Sequence, residues 1–237
     1  MLLPFLYRFA DHIVAISEGL GDQLGRIIPS RKTDIHVIYN PVIDDTIDTL
    51  LQKPVPTDFD FIKNIKKPII MGMGRLVPQK DFATLIKAFK LVREKKEASL
   101  VILGEGYLRE ELLKLAEYLK IKDDVYLPGF TKNPYKVLSM GDVFVLSSRW
   151  EGFGNVLVEA MYCGLSVIST DCPSGPSEIL NNGQFGSLYP IGDADELSNI
   201  LMNEKKVNYN KKYLEEFNSS YISNQYEKLL FTSVNEI

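Results

Sequence analysis

Val143-Phe144-Val145-Leu146-Ser147-Ser148-Arg149-Trp150-Glu151-Gly152-Phe153-Gly154-Asn155-Val156-Leu157-Val158-Glu159-Ala160-Met161 carries two hydrophobic periods in succession. The opening apolar run predicts a buried parallel strand. Val156, Leu157, Ala160 and Met161 then fall on one face of a helix. The loop between them is flanked by glycines. A loop of this kind, running from a strand into a helix N-terminus, is where an α/β sheet receives an anion. Free N–H groups and the helix dipole, roughly +0.5 charge, both favour phosphate there.

Two carboxylates sharpen this reading. Glu151 lies in the loop and Glu159 about one turn into the helix. Helical side chains lean back toward the N-terminus, so Glu159 reaches a group sitting just above the helix start. Two acidic acceptors beside a phosphate site suit a ligand that carries phosphate and many hydroxyls, as a nucleotide sugar does. The plainer alternative is a pair of solvated surface glutamates, and the surrounding loops decide between them.

Outward from this stretch the chain alternates regularly. Strands are predicted at Ile69-Ile70-Met71-Gly72, Leu100-Val101-Ile102-Leu103, Val125-Tyr126-Leu127, Val143 to Leu146, Ser166-Val167-Ile168-Ser169 and Phe185 to Tyr189. Helices are predicted between them, from Asp81 to Glu94 with Leu85, Phe89 and Val92 on one stripe, through Leu119, and from Pro134 to Met140. Further helical patterns run from Asp193 to Met202 and from Tyr221 to Phe231. About six strands alternating with helices predict a Rossmann-like, doubly wound parallel α/β sheet over residues 68–237. Such sheets bind ligands outside the carboxyl ends of their strands.

Upstream, Phe5 to Asp11 reads as the end of a helix. Ile13 to Ile16, a helix from the N-cap Ser17 to Ile27, and Ile35 to Tyr39 read as a β-α-β fragment closed by Asn40-Pro41. Residues 1–41 are too few to bury a core alone, and look like the end of a preceding domain. Residues 42–67, polar and broken by Pro54 and Pro56, read as an irregular linker.

Composition narrows the function classes. With 45% apolar and 24% charged residues the chain is ordinary globular protein, and a net charge of −4 gives no support for nucleic-acid binding. The two cysteines, Cys163 and Cys172, make no disulfide framework and fit a reducing cytoplasm. With only His12 and His36 beside them, no metal site and no Ser-His-Asp or Cys-His arrangement is predicted. No stretch approaches the roughly 20 apolar residues of a membrane span. The apolar opening from Met1 to Tyr7 suggests peripheral contact with a membrane face or a neighbour.

Three more loops fall on the ligand side. Gly72-Met73-Gly74-Arg75-Leu76-Val77-Pro78-Gln79-Lys80-Asp81 brings two cations to one mouth, Arg75 suited to bidentate phosphate contact and Lys80 to a point charge. It matches neither a Walker loop nor a dinucleotide fingerprint. Pro128-Gly129-Phe130 offers a flat aromatic that either flanks a base or belongs to the core. Asp171-Cys172-Pro173-Ser174-Gly175-Pro176-Ser177-Glu178 is stiffened by its prolines, and Glu178 reads as the beginning of a helix.

At Gly74-Arg75…Lys80 and Glu151-Gly152-Phe153-Gly154…Glu159 the sequence resembles the retaining glycosyltransferases of family 4, the group 1 enzymes of GT-B fold, over nearly its whole length. The resemblance implies a C-terminal donor-binding domain. By it, Arg75, Lys80, Gly74, Asn155 and Val156 hold the donor diphosphate, and Glu151 with Gly152, Phe153 and Gly154 contacts the transferred sugar. Glu159 binds the ribose, and Gly129 and Phe130 hold the base. The run from Thr170 to Pro176 is similar to that of bacterial enzymes using UDP-hexoses or UDP-N-acetylhexosamines for surface glycans. A glycan or lipid-linked acceptor, a cytoplasmic location and the absence of metal or other cofactors are implied in the same way. The family's histidine near the transferred sugar has no counterpart in His12 or His36, so no catalytic residue is assigned. The shortened front also leaves open a nucleotide-sugar-binding module without turnover, a subunit completed by a separate chain, or an epimerase of similar architecture.

Overall fold

The computed structural model describes residues 3–203 and 211–232. Met1 and Leu2 of the apolar opening lie outside them. The chain starts with a single turn, α1 (Leu3–Leu6), and a 3-10 turn at Tyr7–Phe9. β1 (Ile13–Ala15), α2 (Glu18–Ile27) and β2 (Ile35–Val37) follow as a β-α-β unit whose strands pair in parallel. Ser17 is the N-cap of α2, and its hydroxyl accepts the Leu20 N–H at 3.2 Å. His12 precedes β1 and His36 lies within β2, and their rings meet edge to face.

Residues 42–67 correct the sequence reading. They hold α3 (Asp45–Gln52) and a 3-10 segment at Thr57–Asn64. Asp44 caps α3 by accepting the Thr46 N–H, and Ile43, Ile47, Phe59 and Ile62 are buried in the main core. Pro54 and Pro56 fall between the two helical pieces and so break neither. The polar residues suggested a linker because they occupy the outer face of a short amphipathic helix.

The main sheet has six parallel strands: β3 (Ile69–Met73), β4 (Ser99–Leu103), β5 (Val125–Gly129), β6 (Val143–Leu146), β7 (Ser166–Thr170) and β8 (Ser187–Tyr189), in the order β5-β4-β3-β6-β7-β8. The last strand starts at Ser187, not Phe185. Between and after them come α4 (Phe82–Arg93), α5 (Arg109–Tyr118), α6 (Pro134–Leu138), α7 (Asn155–Tyr162), α8 (Pro176–Ile179), α9 (Ala194–Asn203), α10 (Lys211–Leu214) and α11 (Ser219–Thr232). The apolar strands are covered on both faces, which is why they read as continuous hydrophobic runs. One face is closed by α4, α5 and α9, the other by α6, α7, α8 and α10 together with α3. On α4, Phe82, Leu85, Ile86, Phe89 and Val92 form the buried stripe, each large side chain stabilising the fold by about 1.5–3 kcal/mol.

β3 and β6 lie side by side, and the chain leaves β3 for β4 on one side and leaves β6 for β7 on the other. A crevice opens outside the carboxyl ends of these two strands. The loops bordering it are those after β3 and β6, the same two that carry Arg75, Lys80 and Glu151.

Candidate functional site

The loop after β3 is fixed from below. Gly74 N–H donates to the Leu103 carbonyl and Leu76 N–H to the Glu105 carbonyl, both at 2.9 Å. Its far end is fixed to the loop after β6. The Ser147 hydroxyl donates to the Lys80 carbonyl at 2.7 Å, and the Arg149 N–H to the Gln79 carbonyl at 2.8 Å. These bonds turn Lys80 inward, where its Nζ meets Glu151 Oε1 at 2.5 Å. The same oxygen accepts the Ser148 hydroxyl at 2.6 Å. Lys80 is 13% exposed and Glu151 9%, so the pair is nearly enclosed.

Beside this pair stands the N-terminus of α7. Gly154 is its N-cap at φ 104°, a left-handed conformation that a side chain would strain, and no side chain caps the helix among the described residues. The first-turn N–H groups therefore face the crevice. The loop itself is held by Phe153, whose ring is buried between Tyr39, at a centroid distance of 5.2 Å, and Phe217, at 5.8 Å. The Phe153 ring is thus an anchor of the loop, turned into the core. Gly175 passes so close to the same loop that a Cβ there would lie 1.8 Å from the Phe153 carbonyl oxygen.

Glu159 is half-buried on α7, and the Tyr135 hydroxyl of α6 donates to its Oε1 at 3.5 Å. Burial raises its pKa above the usual carboxylate range, and the tyrosine hydrogen bond opposes that only in part. The Tyr135 hydroxyl is pushed up to about 12 by its own burial and by the Glu159 charge. Cys163 is also pushed up to about 12, by burial first and Glu159 second, so it is an unreactive thiol.

A separate cavity of about 350 Å³ lies between the ends of β3 and β5, lined by Gly74, Arg75, Glu105, Phe130 and Thr131. Phe130 stands 74% exposed, which removes it from the core and leaves it as a platform at this cavity. Gly129 precedes it at φ 94°. Arg75 is exposed at the cavity rim. The structure therefore gathers Gly74, Arg75, Gly129 and Phe130 around this cavity, and Gly74 also lies against the Lys80 side chain. Lys80 pairs with Glu151, and Gly152, Gly154 and Asn155 follow in the loop that leads into α7, which carries Val156 and Glu159. Among the described residues no group of three His, Cys, Asp or Glu side chains is placed to hold a metal ion.

Several contacts were not read from the sequence. Ser148 bridges to Glu151, and its only signal was a polar pair ending a buried strand. Glu178 does lie in the first turn of α8, but its carboxylate accepts the N–H groups of Glu18 at 2.7 Å and Gly19 at 2.9 Å. It thus caps α2 across the molecule. The Ser17 hydroxyl also donates to the Gly152 carbonyl at 3.0 Å, and the Asn40 side-chain amide to Asn155 Oδ1 at 2.8 Å.

With this geometry in place, comparison with known proteins is decisive on one point. The family model for glycosyl transferases group 1 matches residues 57–214, which is more than half of the chain. The chain belongs to the group 1 glycosyltransferases. A Campylobacter jejuni N-acetylgalactosaminyltransferase acting on a diphospho-undecaprenol-linked sugar is 33% identical over 83% of this glycosyltransferase chain and 51% of its own length. Among solved structures, the apo lipopolysaccharide outer core galactosyltransferase WaaB superposes with a TM-score of 0.73 at 28% identity, over 95% of this chain and 63% of its own. Anabaena HepE, solved with UDP and glucose, has a TM-score of 0.79 at 24% identity, over 95% of this chain and 64% of its own, and shows the fold alone. The group 1 chain spans about half the length of the curated relatives it matches, 43%, 51% and 54% for the first three. Its sheet is that of a GT-B glycosyltransferase, as the resemblance implied. No helix among the described residues is long and apolar enough to cross a membrane.

Proposed function

We propose that this chain is the donor-binding part of a retaining glycosyltransferase that moves a hexose or N-acetylhexosamine from a UDP-sugar to a glycan or lipid-linked acceptor in bacterial surface polysaccharide synthesis. The observation that carries the proposal is the enclosed Lys80–Glu151 pair beside the uncapped N-terminus of α7, at the switch point of the sheet. In this reading Lys80, Arg75, the Gly74 backbone and the N–H groups around Asn155 and Val156 bind the diphosphate. They stabilise the charge that grows on it as the bond to the anomeric carbon breaks. The acceptor oxygen forms the new bond to that carbon, and its proton passes to the departing diphosphate. Glu151, released from Lys80 by the phosphate, takes hydroxyls of the transferred sugar, with the Gly152–Gly154 backbone against its ring. Glu159 takes the ribose hydroxyls, and Phe130 with Gly129 flanks the base in the cavity beside Arg75. No side chain is assigned to proton transfer.

The sugar class is supported by what the relatives are called, N-acetylgalactosaminyl- and galactosyltransferases. The test is a thermal-shift series with UDP and four UDP-sugars (glucose, galactose, N-acetylglucosamine and N-acetylgalactosamine), repeated with Lys80→Ala. One donor should raise Tm more than UDP does, and the variant should lose the effect. If no uridine nucleotide shifts the melting of the folded chain at millimolar concentration, the reading is wrong. A chain that binds the donor yet transfers nothing to water or added acceptor would instead be a binding module.

A further inference from the structure

The loop after β3 has a second flank, facing away from the proposed donor site. There a cavity of about 470 Å³ opens between the starts of α4 and α5, bordered by Pro78, Asp81, Phe82, Glu111, Arg149 and Trp150. We propose that this cavity is a saccharide subsite that takes one pyranose ring of a glycan. The idea rests on the glycosyl-transfer reading for its ligand class, since a glycan acceptor needs contacts beyond the reacting hydroxyl.

The lining has the chemistry of sugar recognition. Trp150 is 52% exposed and gives a flat apolar platform, with an indole N–H able to donate to a hydroxyl. Glu111 stands exposed at the mouth and is free to accept from hydroxyls. Asp81 is only 7% exposed, an unusual setting for a carboxylate. Arg149 donates to its Oδ2 at 3.1 Å, and its Oδ1 has no partner among the described residues. Asp81 is also held at φ 44°, the left-handed region, although it makes no side-chain cap to α4.

The cavity is a built feature. Gln79 Nε2 donates to the Trp150 carbonyl at 2.9 Å, and the Arg149 N–H donates back to the Gln79 carbonyl at 2.8 Å. The Arg149–Asp81 pair closes the same junction. The two loops thus form one clamped ridge. Its inner side presents Lys80 and Glu151, its outer side Asp81, Arg149 and Trp150. A glycan lying across the ridge would have one ring in the cavity while its end faces the donor sugar.

Trp150 is the only tryptophan of the chain, so intrinsic fluorescence reports on this cavity. The experiment titrates the full chain with the methyl glycosides of glucose, galactose, N-acetylglucosamine and N-acetylgalactosamine, and with lactose and chitobiose, at saturating UDP. At least one sugar should produce a saturable emission change, with half-effect on the order of 1–10 mM, as befits so small a ligand. Ala83→Phe, which fills the cavity from its wall, should abolish the change and leave UDP affinity by calorimetry intact. Glu111→Gln should weaken it several-fold. The proposal is overturned if no sugar alters the emission up to about 100 mM, or if Ala83→Phe leaves the response unchanged. It is also overturned if UDP-sugar displaces the saccharide where UDP does not, because the sugar would then occupy the donor position. Failure of UDP itself to bind would count against the donor reading instead, and is scored separately by calorimetry.

Discussion

Replacing Glu151 with glutamine and Lys80 with alanine should move UDP affinity in opposite directions. Lys80 Nζ and Glu151 Oε1 are 2.5 Å apart, at 13% and 9% exposure. At an effective dielectric of about 20, unit charges even 4 Å apart attract by about 4 kcal/mol. Desolvation offsets part of that, and a charged hydrogen bond typically leaves about 1.5–3 kcal/mol net. Glu151→Gln keeps an acceptor for Ser148 but leaves the lysine uncompensated. Its folded state should lose about that amount, or roughly 3–12 °C in Tm for a chain of this size. UDP has no sugar for Glu151 to grip, so in the wild type its phosphate must compete with Glu151 for Lys80. Removing the competitor should tighten UDP by about 10-fold or more. Lys80→Ala removes the cation and leaves a carboxylate facing the phosphate, which should weaken UDP by about 10- to 100-fold. Calorimetry with UDP at low and high salt measures both. Weaker UDP binding by folded Glu151→Gln, or unchanged binding by folded Lys80→Ala, would refute the competition.

Further outcomes follow from three other parts of the molecule. Glu159→Ala should weaken UDP by about 1.5–3 kcal/mol if a ribose hydroxyl donates to the carboxylate, as measured by calorimetry on a folded variant. The pKa of Glu159 is raised in the folded state, so its contribution to stability is fully present below the unfolded pKa and lost as pH rises through the folded one. Nucleotide binding should run the other way, weakening as pH falls through that raised pKa, and Glu159→Gln should flatten the profile. Glu178→Gln should lower Tm by the equivalent of about 0.5–2 kcal/mol, because one of two N–H groups at the start of α2 loses its acceptor and the other keeps only a neutral one. Gly175→Ala should destabilise by more than about 1 kcal/mol in urea unfolding, since its φ of 94° and the Phe153 carbonyl leave no place for a Cβ.

The sheet was legible because its strands are buried on both faces and read as short apolar runs with glycine and proline between them. The loops that border the crevice were legible too, because glycine, arginine, lysine and glutamate at strand ends carry chemical meaning one by one. Residues 42–67 were misread because Pro54 and Pro56 dominate a local view, while the Asp44 cap and Ile47 reveal a helix only once a core exists to receive it. What no local reading supplies is pairing across distance. Lys80 and Glu151 were both singled out as ligand groups, yet each is also the other's ion-pair partner. Glu178 looked like an ordinary helix-start acid, but its partners Glu18 and Gly19 lie on the far side of the chain. Asp81 was read as the first residue of a helix, and its burial against Arg149 depends on a loop that comes after β6.

The contacts of Ser17 with Gly152 and of Asn40 with Asn155 set a thermodynamic obligation on the molecule. Both ends of the loop that starts α7 are tied to the first forty residues. Any ligand that holds this loop more firmly must, by linkage, hold the β1–α2–β2 unit more firmly as well, and by the same free energy in reverse. Amide exchange in α2 should therefore slow when a nucleotide binds.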